Sequence, residues 1–150
     1  MINWTLKKFE ELTIIELYEI LRLRTEVFVV EQNCVFQDMD NKDQQCYHLL
    51  GRKGDLLAAY TRIVPTGIAY DDAPSIGRVV TSPQARGEGL GKELMKQSIK
   101  DLFRVYGEST IKIGAQLYLK KFYESLGFVQ SSDIYDEDGI DHIEMTRASV

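Results

Sequence analysis

The segment Arg86-Gly87-Glu88-Gly89-Leu90-Gly91 constrains this chain most, because it sets three alternate glycines between a strand-and-proline stretch and a long apolar-faced run. Glycine lets a backbone turn sharply and come close to a ligand. The first amides of the helix that follows have no internal partner, and their dipoles favour an anion. A diphosphate fits there, with Arg86 and Lys92 adding positive charge. A tight turn that merely opens a helix is the competing reading. Two better-known nucleotide motifs are excluded. The dinucleotide fingerprint follows the first strand of a βαβ unit and places an acid about twenty positions on. Here at least three strands come first, and Ser109 stands in that region. A P-loop needs Ser or Thr after its Gly-Lys pair, and Glu93 follows Gly91-Lys92.

The elements around this loop follow from periodicity. Residues 2–9 alternate as an edge strand. Thr13 caps a helix carrying Leu17, Ile20, Leu21, Arg24 and Phe28, Glu16 completes a capping box, and the β-branched run Val27–Val30 is where the helix should fade. The polar stretch Glu31–Gln45, interrupted by Val35, Phe36 and Met39, reads as a lid or half of an acceptor pocket. Cys46–Arg52 and Leu56–Val64 form a hairpin around Lys53-Gly54-Asp55, and Ile76–Thr81 is the next strand. Leu90, Leu94, Ser98 and Leu102 form one ridge of a helix from Gly89 to Tyr106. A strand over Thr110–Ala115 and a helix over Tyr118–Leu126 come next. Closing strands begin at Phe128 and at His142, separated by the acidic turn Asp136–Gly139. The order predicts one α/β (α+β) domain over residues 1–150, a mixed sheet of six to seven strands with helices on both faces. The crossover helix implies some parallel pairing.

Composition narrows the partners. A net charge of −5 disfavours nucleic acid and mildly favours a cationic small molecule. No apolar run is long enough to span a bilayer, and the start Met1-Ile2-Asn3-Trp4 is not a secretory signal. A cytoplasmic protein with no membrane partner is expected. Cys34 and Cys46 match no metal-site spacing, so no metal is expected, and a disulfide between them is not expected in that compartment.

With these residues in place, the chain resembles the GCN5-related N-acetyltransferase (GNAT) superfamily. Arg86, Gly89 and Gly91 match its Arg/Gln-x-x-Gly-x-Gly/Ala motif, and Ile111–Ala115 followed by Leu119-Lys120-Lys121-Phe122-Tyr123-Glu124-Ser125-Leu126-Gly127-Phe128 resembles its second signature. More narrowly it is similar to the ElaA group. That likeness rests on Leu23-Arg24, Val27 to Cys34, Ile76-Gly77-Arg78-Val79, Gly114-Ala115-Gln116, Glu137-Asp138-Gly139-Ile140 and His142-Ile143. The resemblance implies acetyl-CoA as co-substrate. Its diphosphate would lie on Arg86, Gly87, Glu88, Gly89, Leu90, Gly91 and Lys92, and its pantetheine arm along Val79, Val80 and Thr81, with Gln116 near the strand end. It implies an amine acceptor, a small molecule or peptide that the resemblance does not name.

Amine attack on a thioester needs a deprotonated amine and a proton for the departing thiolate. The resemblance assigns the proton to Tyr123, and the residues alone equally allow a core aromatic beside Phe122. Glu31, His48 and His142 are the candidates for the base, since an imidazole ordinarily titrates near about 6.5. Each also reads as an ordinary structural or solvated group. Arg24, Arg62 and Arg78 sit within apolar sequence, where one or more could line the acceptor cleft, pairing with Glu31 or recognising an acceptor carboxylate, or all could face solvent. A CoA-binding domain without catalysis, acting as sensor or scaffold, is the alternative function. Monomer and homodimer both remain open.

Overall fold

The computed structural model describes residues 1–149. The first helix, α1 (Ile14–Arg24), starts as its capping box dictates: the Thr13 hydroxyl accepts from Glu16 N–H at 3.0 Å, and the Glu16 carboxylate accepts from Thr13 N–H at 2.8 Å. It does not fade at Val27. The chain continues as a π-helical stretch over Thr25–Glu31, and Gln32 N–H reaches back five residues to the Val27 carbonyl at 3.1 Å. Val27 is buried with Ile20 and Leu23 against Leu50, Tyr60 and Val80. That packing outweighs the modest helix propensity of β-branched residues. The wider turn is of the kind found at functional sites, and it carries Glu31 and Gln32 towards the sheet.

Among the described residues, eight strands form two sheets. In the first, β1 (Asn3–Lys8), β2 (Tyr47–Lys53), β3 (Leu56–Val64) and β4 (Ser75–Thr81) pair in sequence order. In the second, β8 (Ile140–Arg147) lies between β5 (Ile111–Gln116) and β6 (Val129–Gln130), and it also pairs with β7 (Tyr135–Glu137). The expected count of six to seven strands falls short because the region after Phe128 breaks into β6 and the β7–β8 hairpin. All the ladders are antiparallel. The parallel pairing expected from the crossover is replaced by a splay. β4 and β5 meet at their starts, where Lys112 N–H donates to the Pro74 carbonyl at 3.2 Å, and no ladder continues the pairing among the described residues.

The crossover helix α2 (Leu90–Tyr106) covers one face, with Leu94, Met95 and Leu102 fully buried. Each such side chain stabilises the fold by roughly 1.5–3 kcal/mol. α3 (Lys120–Glu124), entered through the 3-10 turn Leu117–Leu119, is shorter than the helix expected over Tyr118–Leu126 and packs Tyr123 into the same cluster. α1 covers the other face. Cys34 and Cys46 are both buried and free. No helix among the described residues is long and apolar enough to cross a membrane.

Candidate active site

A cleft of about 600 Å³ opens where β4 and β5 part, lined by Val27, Glu31, Arg78, Gly114, Tyr123 and His142 among others. β4 is paired only with β3, and β5 only with β8. Two strand edges with unpaired backbone donors and acceptors therefore face each other across the gap, which is the arrangement that takes up an extended ligand. β4 also carries a bulge. Tyr60 pairs with Val80 and Arg62 with Gly77, so Arg78 and Val79 oppose Thr61 alone, and Arg78 is held at φ 51°. The cleft reaches both faces of the second sheet. Ile113 and Ala115 of β5 point with Tyr123 into the core under α2, while Gly114 and Gln116 belong to the opposite face with His142.

The glycine loop stands at one end of the gap. Gly87 (φ 103°) and Gly89 (φ 70°) adopt left-handed conformations that side chains disfavour, and Gly89 is the N-cap of α2 without any side-chain cap. The first backbone bond of the helix runs from Glu93 N–H to the Gly89 carbonyl. The amides of residues 86–92 have no protein acceptor among the described residues, so they form an open cradle for an anion.

Val79, Val80, Thr81, Arg86, Gly91, Gln116 and Tyr123 all line the cleft. Gly87, Glu88, Gly89 and Lys92 lie at the loop beyond its end, and the Leu90 side chain is buried in the core with only its amide facing outwards. Gln116 exchanges amide hydrogen bonds with Gln32 at 3.3 Å. Arg86 makes a two-pronged pair with Glu31 at 2.6 and 2.7 Å, and this bonding holds the Glu31 carboxyl below its usual range. The loop that offers the anion cradle is thus tied across the cleft to the π-helical turn.

Tyr123 is 5% exposed, its ring fixed edge-on to Phe122 and Phe128. Burial pushes its pKa up, and no hydrogen bond is formed to its hydroxyl. It stays a neutral phenol facing the cleft. His142 is 6% exposed and lines the same cleft. Its Nδ1 lies 2.8 Å from the Ile140 carbonyl, which can only accept, so Nδ1 carries the proton and the lone pair of the neutral ring is on Nε2. Glu137 Oε2 stands 3.5 Å from that nitrogen.

His48, the third candidate base, sits in the strand expected for it but away from the cleft. It lies on the α1 side of the first sheet, 1% exposed, with Nδ1 2.6 Å from the Tyr60 hydroxyl and Nε2 2.8 Å from the Asp43 carbonyl. Burial drives its pKa down. Both nitrogens are engaged, and it does not line the cleft.

None of the three arginines pairs with Glu31; Arg24 and Arg62 are buried, and Arg78, part-exposed, lines the cleft. Arg24, fully buried, binds Asp38 and Asp43, each at 2.8 Å; Arg62 binds Asp40 at 2.6 Å and Asp43 at 2.9 Å; Arg78 binds Asp38 at 2.7 Å. Burial alone would raise Asp40 and Asp43, but these guanidiniums hold the Asp40 carboxyl well below the usual range and lower that of Asp43 as well. The network straps the loop after Glu31 onto the sheet and fixes the Arg78 bulge beside the cleft. Sequence reasoning missed the aspartates. The signal was there in Asp38-x-Asp40-x-x-Asp43, a set of carboxylates equal in number to the unexplained arginines.

Comparison with known proteins decides the family. A model described as "Acetyltransferase (GNAT) domain" matches residues 21–149. The chain belongs to that family, in its ElaA-like group. It is 42% identical to Protein ElaA of Escherichia coli over 149 residues, covering 98% of this chain and 97% of that one. A UPF0039 protein of Synechocystis is 41% identical over 145 residues, covering 96% and 94%. Among solved structures, Escherichia coli ElaA superposes with a TM-score of 0.91 at 40% identity, over 98% of this chain and 99% of that one. An acyl-CoA N-acyltransferase from Pseudomonas aeruginosa gives 0.93 at 40% identity, over 99% and 100%. This GNAT chain therefore has the mixed α/β fold of acetyl-CoA-dependent acetyltransferases, with helices flanking its strands.

Proposed function

We propose that the protein transfers an acetyl group from acetyl-CoA to the primary amine of a small-molecule or peptide acceptor. The observation that carries this reading is the cleft itself, which joins an open amide cradle to two free strand edges and is lined by Tyr123 and His142. Bound acetyl-CoA would supply a thioester whose C–S bond breaks as the C–N bond forms. The residues present fit it: the amides of 86–92 would hold the diphosphate, and the edges at Val79–Thr81 and Ile113–Gln116 the pantetheine arm.

The proton traffic falls to the two faces of the gap. On the core side, the Tyr123 hydroxyl is protonated, desolvated and free to donate to the departing sulfur. On the other side, the Ile140 carbonyl holds the proton on His142 Nδ1, which leaves Nε2 to accept the proton of the incoming amine. Glu31 serves as the partner of Arg86, tying the loop to the π-helical turn, and its depressed pKa makes it a poor base. His48 is structural.

Free-thiol release from acetyl-CoA, measured against a panel of amines, tests the reading. We expect amine-dependent release that falls at least tenfold in Tyr123→Phe while affinity for acetyl-CoA is kept. Release that ignores the amine, or equal turnover in the variant, would remove it.

A further inference from the structure

The acceptor side of the cleft has a one-sided charge. Residues 131–141 carry Asp133, Asp136, Glu137, Asp138 and Asp141 and no Lys or Arg, and Glu137 and Asp138 line the cleft. The cations that line it are already taken, Arg78 by Asp38 and Arg86 by Glu31. Asp136 is engaged inside its own turn, where it accepts from Gly139 N–H at 3.2 Å. No basic group among the described residues pairs with Asp138, which is exposed at the tip of the β7–β8 hairpin and anchored by its carbonyl to the Cys34 thiol at 3.2 Å.

Carboxylates at a hairpin tip would by themselves be a solvated surface. What marks this one as a binding wall is the rest of the same cleft. The hydroxyl of Tyr123, a residue 5% exposed, has no hydrogen-bond partner among the described residues, and the Nε2 of His142, a residue 6% exposed, has only the Glu137 carboxylate at 3.5 Å. Polar atoms of well-packed side chains that open into a cleft without a full set of protein partners are suited to meet a ligand.

We infer that the acceptor is an aliphatic amine bearing a second positive charge, which Asp138 holds at the cleft mouth while the reacting amine meets Glu137 and His142. This rests on the acetyl-transfer reading above and names its substrate class. With no unpaired Lys or Arg among the described residues that line the cleft, an acceptor carboxylate has nothing to pair with and is repelled by Glu137 and Asp138. Diamines and longer polyamines fit; α-amino acids do not.

Three probes of similar length isolate the charge: 1,5-diaminopentane, pentylamine and 5-aminopentanoate. Their kcat/KM with acetyl-CoA is measured for the wild type, for Asp138→Asn and for Asp133→Asn, together with calorimetric binding of each probe to the CoA-loaded protein. Asparagine suits the left-handed backbone at position 138 (φ 53°), so the first variant removes charge without strain. The diamine is expected to exceed pentylamine at least tenfold, with 5-aminopentanoate weakest. In Asp138→Asn the diamine-to-monoamine ratio should fall towards one, and in Asp133→Asn, outside the cleft, it should hold. A wild-type ratio near one, or a ratio that survives Asp138→Asn, overturns the inference. Failure of the acetyl-transfer reading is distinct from this. Binding in the expected order without turnover keeps the charge recognition and removes the reaction, whereas turnover of all three probes at equal efficiency does the reverse.

Discussion

Replacing Asp38 by Asn probes the strap that holds the cleft's outer wall. Asp38 Oδ2 receives Arg24 Nε at 2.8 Å and Oδ1 receives Arg78 Nε at 2.7 Å, with the Asp38 side chain 6% exposed. Three guanidiniums balance three carboxylates in this network, so the variant leaves one buried positive charge uncompensated. Breaking a buried pair in this way costs about 3–5 kcal/mol. Arg78 can turn partly to water, being 21% exposed, whereas Arg24 cannot. The lower end, about 3 kcal/mol, is therefore expected, a substantial part of the ~5–15 kcal/mol that holds a domain of this kind. At roughly 2–4 °C per kcal/mol for this size, Tm should fall by about 6–12 °C, with the urea midpoint falling at unchanged m-value. Turnover should fall as well, because Asp38 holds the Arg78 bulge on β4. The exposed Arg86–Glu31 pair is the contrast, and Glu31→Gln should cost less than about 1 kcal/mol. A loss below about 1 kcal/mol in Asp38→Asn would refute the idea that the network holds the loop.

Other expectations follow from the same geometry. Gly89→Val should reduce acetyl-CoA affinity at least tenfold in calorimetry; a Cβ there meets nothing within 4 Å, so the cause is the forced change at φ 70°, which disturbs the amide cradle. Retained affinity would sink that reasoning. Stability should fall with acid in two stages. The folded state holds His48 neutral, so the unfolded chain takes up more protons below about pH 6.5, and a shallow loss begins there. Asp40 and Asp43 have depressed folded pKa values, so their contribution is complete above the unfolded carboxyl range near about pH 4 and is lost as pH falls below it. Urea midpoints across this range check both stages, and a profile flat down to pH 4 followed by no drop would contradict them.

Local rules read the parts of this molecule that local forces decide. The Thr13–Glu16 box, the hairpin at Gly54 and the ridge Leu90–Leu102 depend on near neighbours, and each formed as its residues indicate. The π-helical turn did not read correctly because Val27 to Val30 have strand-like preferences, and the packing of Val27 and Phe28 against Leu50, Tyr60 and Val80 offsets them. The arginine–aspartate network was illegible for a related reason, since Arg24, Arg62 and Arg78 meet Asp38, Asp40 and Asp43 across fourteen to forty positions. His48 and His142 look alike in sequence. What separates them is the surroundings, as His48 is closed in by Tyr60 and the Asp43 carbonyl whereas His142 faces an open gap. That gap exists because β4 and β5 part after one hydrogen bond, and neither strand's own residues show it.

The proposed transfer of an acetyl group to an amine in this cleft has a direct test. Thiol release alone would not separate transfer from hydrolysis, so the product must be seen. Mass spectrometry of an amine panel incubated with acetyl-CoA and the protein should show an acetylated amine that disappears with Gly89→Val and falls sharply with Tyr123→Phe. Acetyl-CoA bound tightly, with no acetylated amine from any member of the panel, would contradict it.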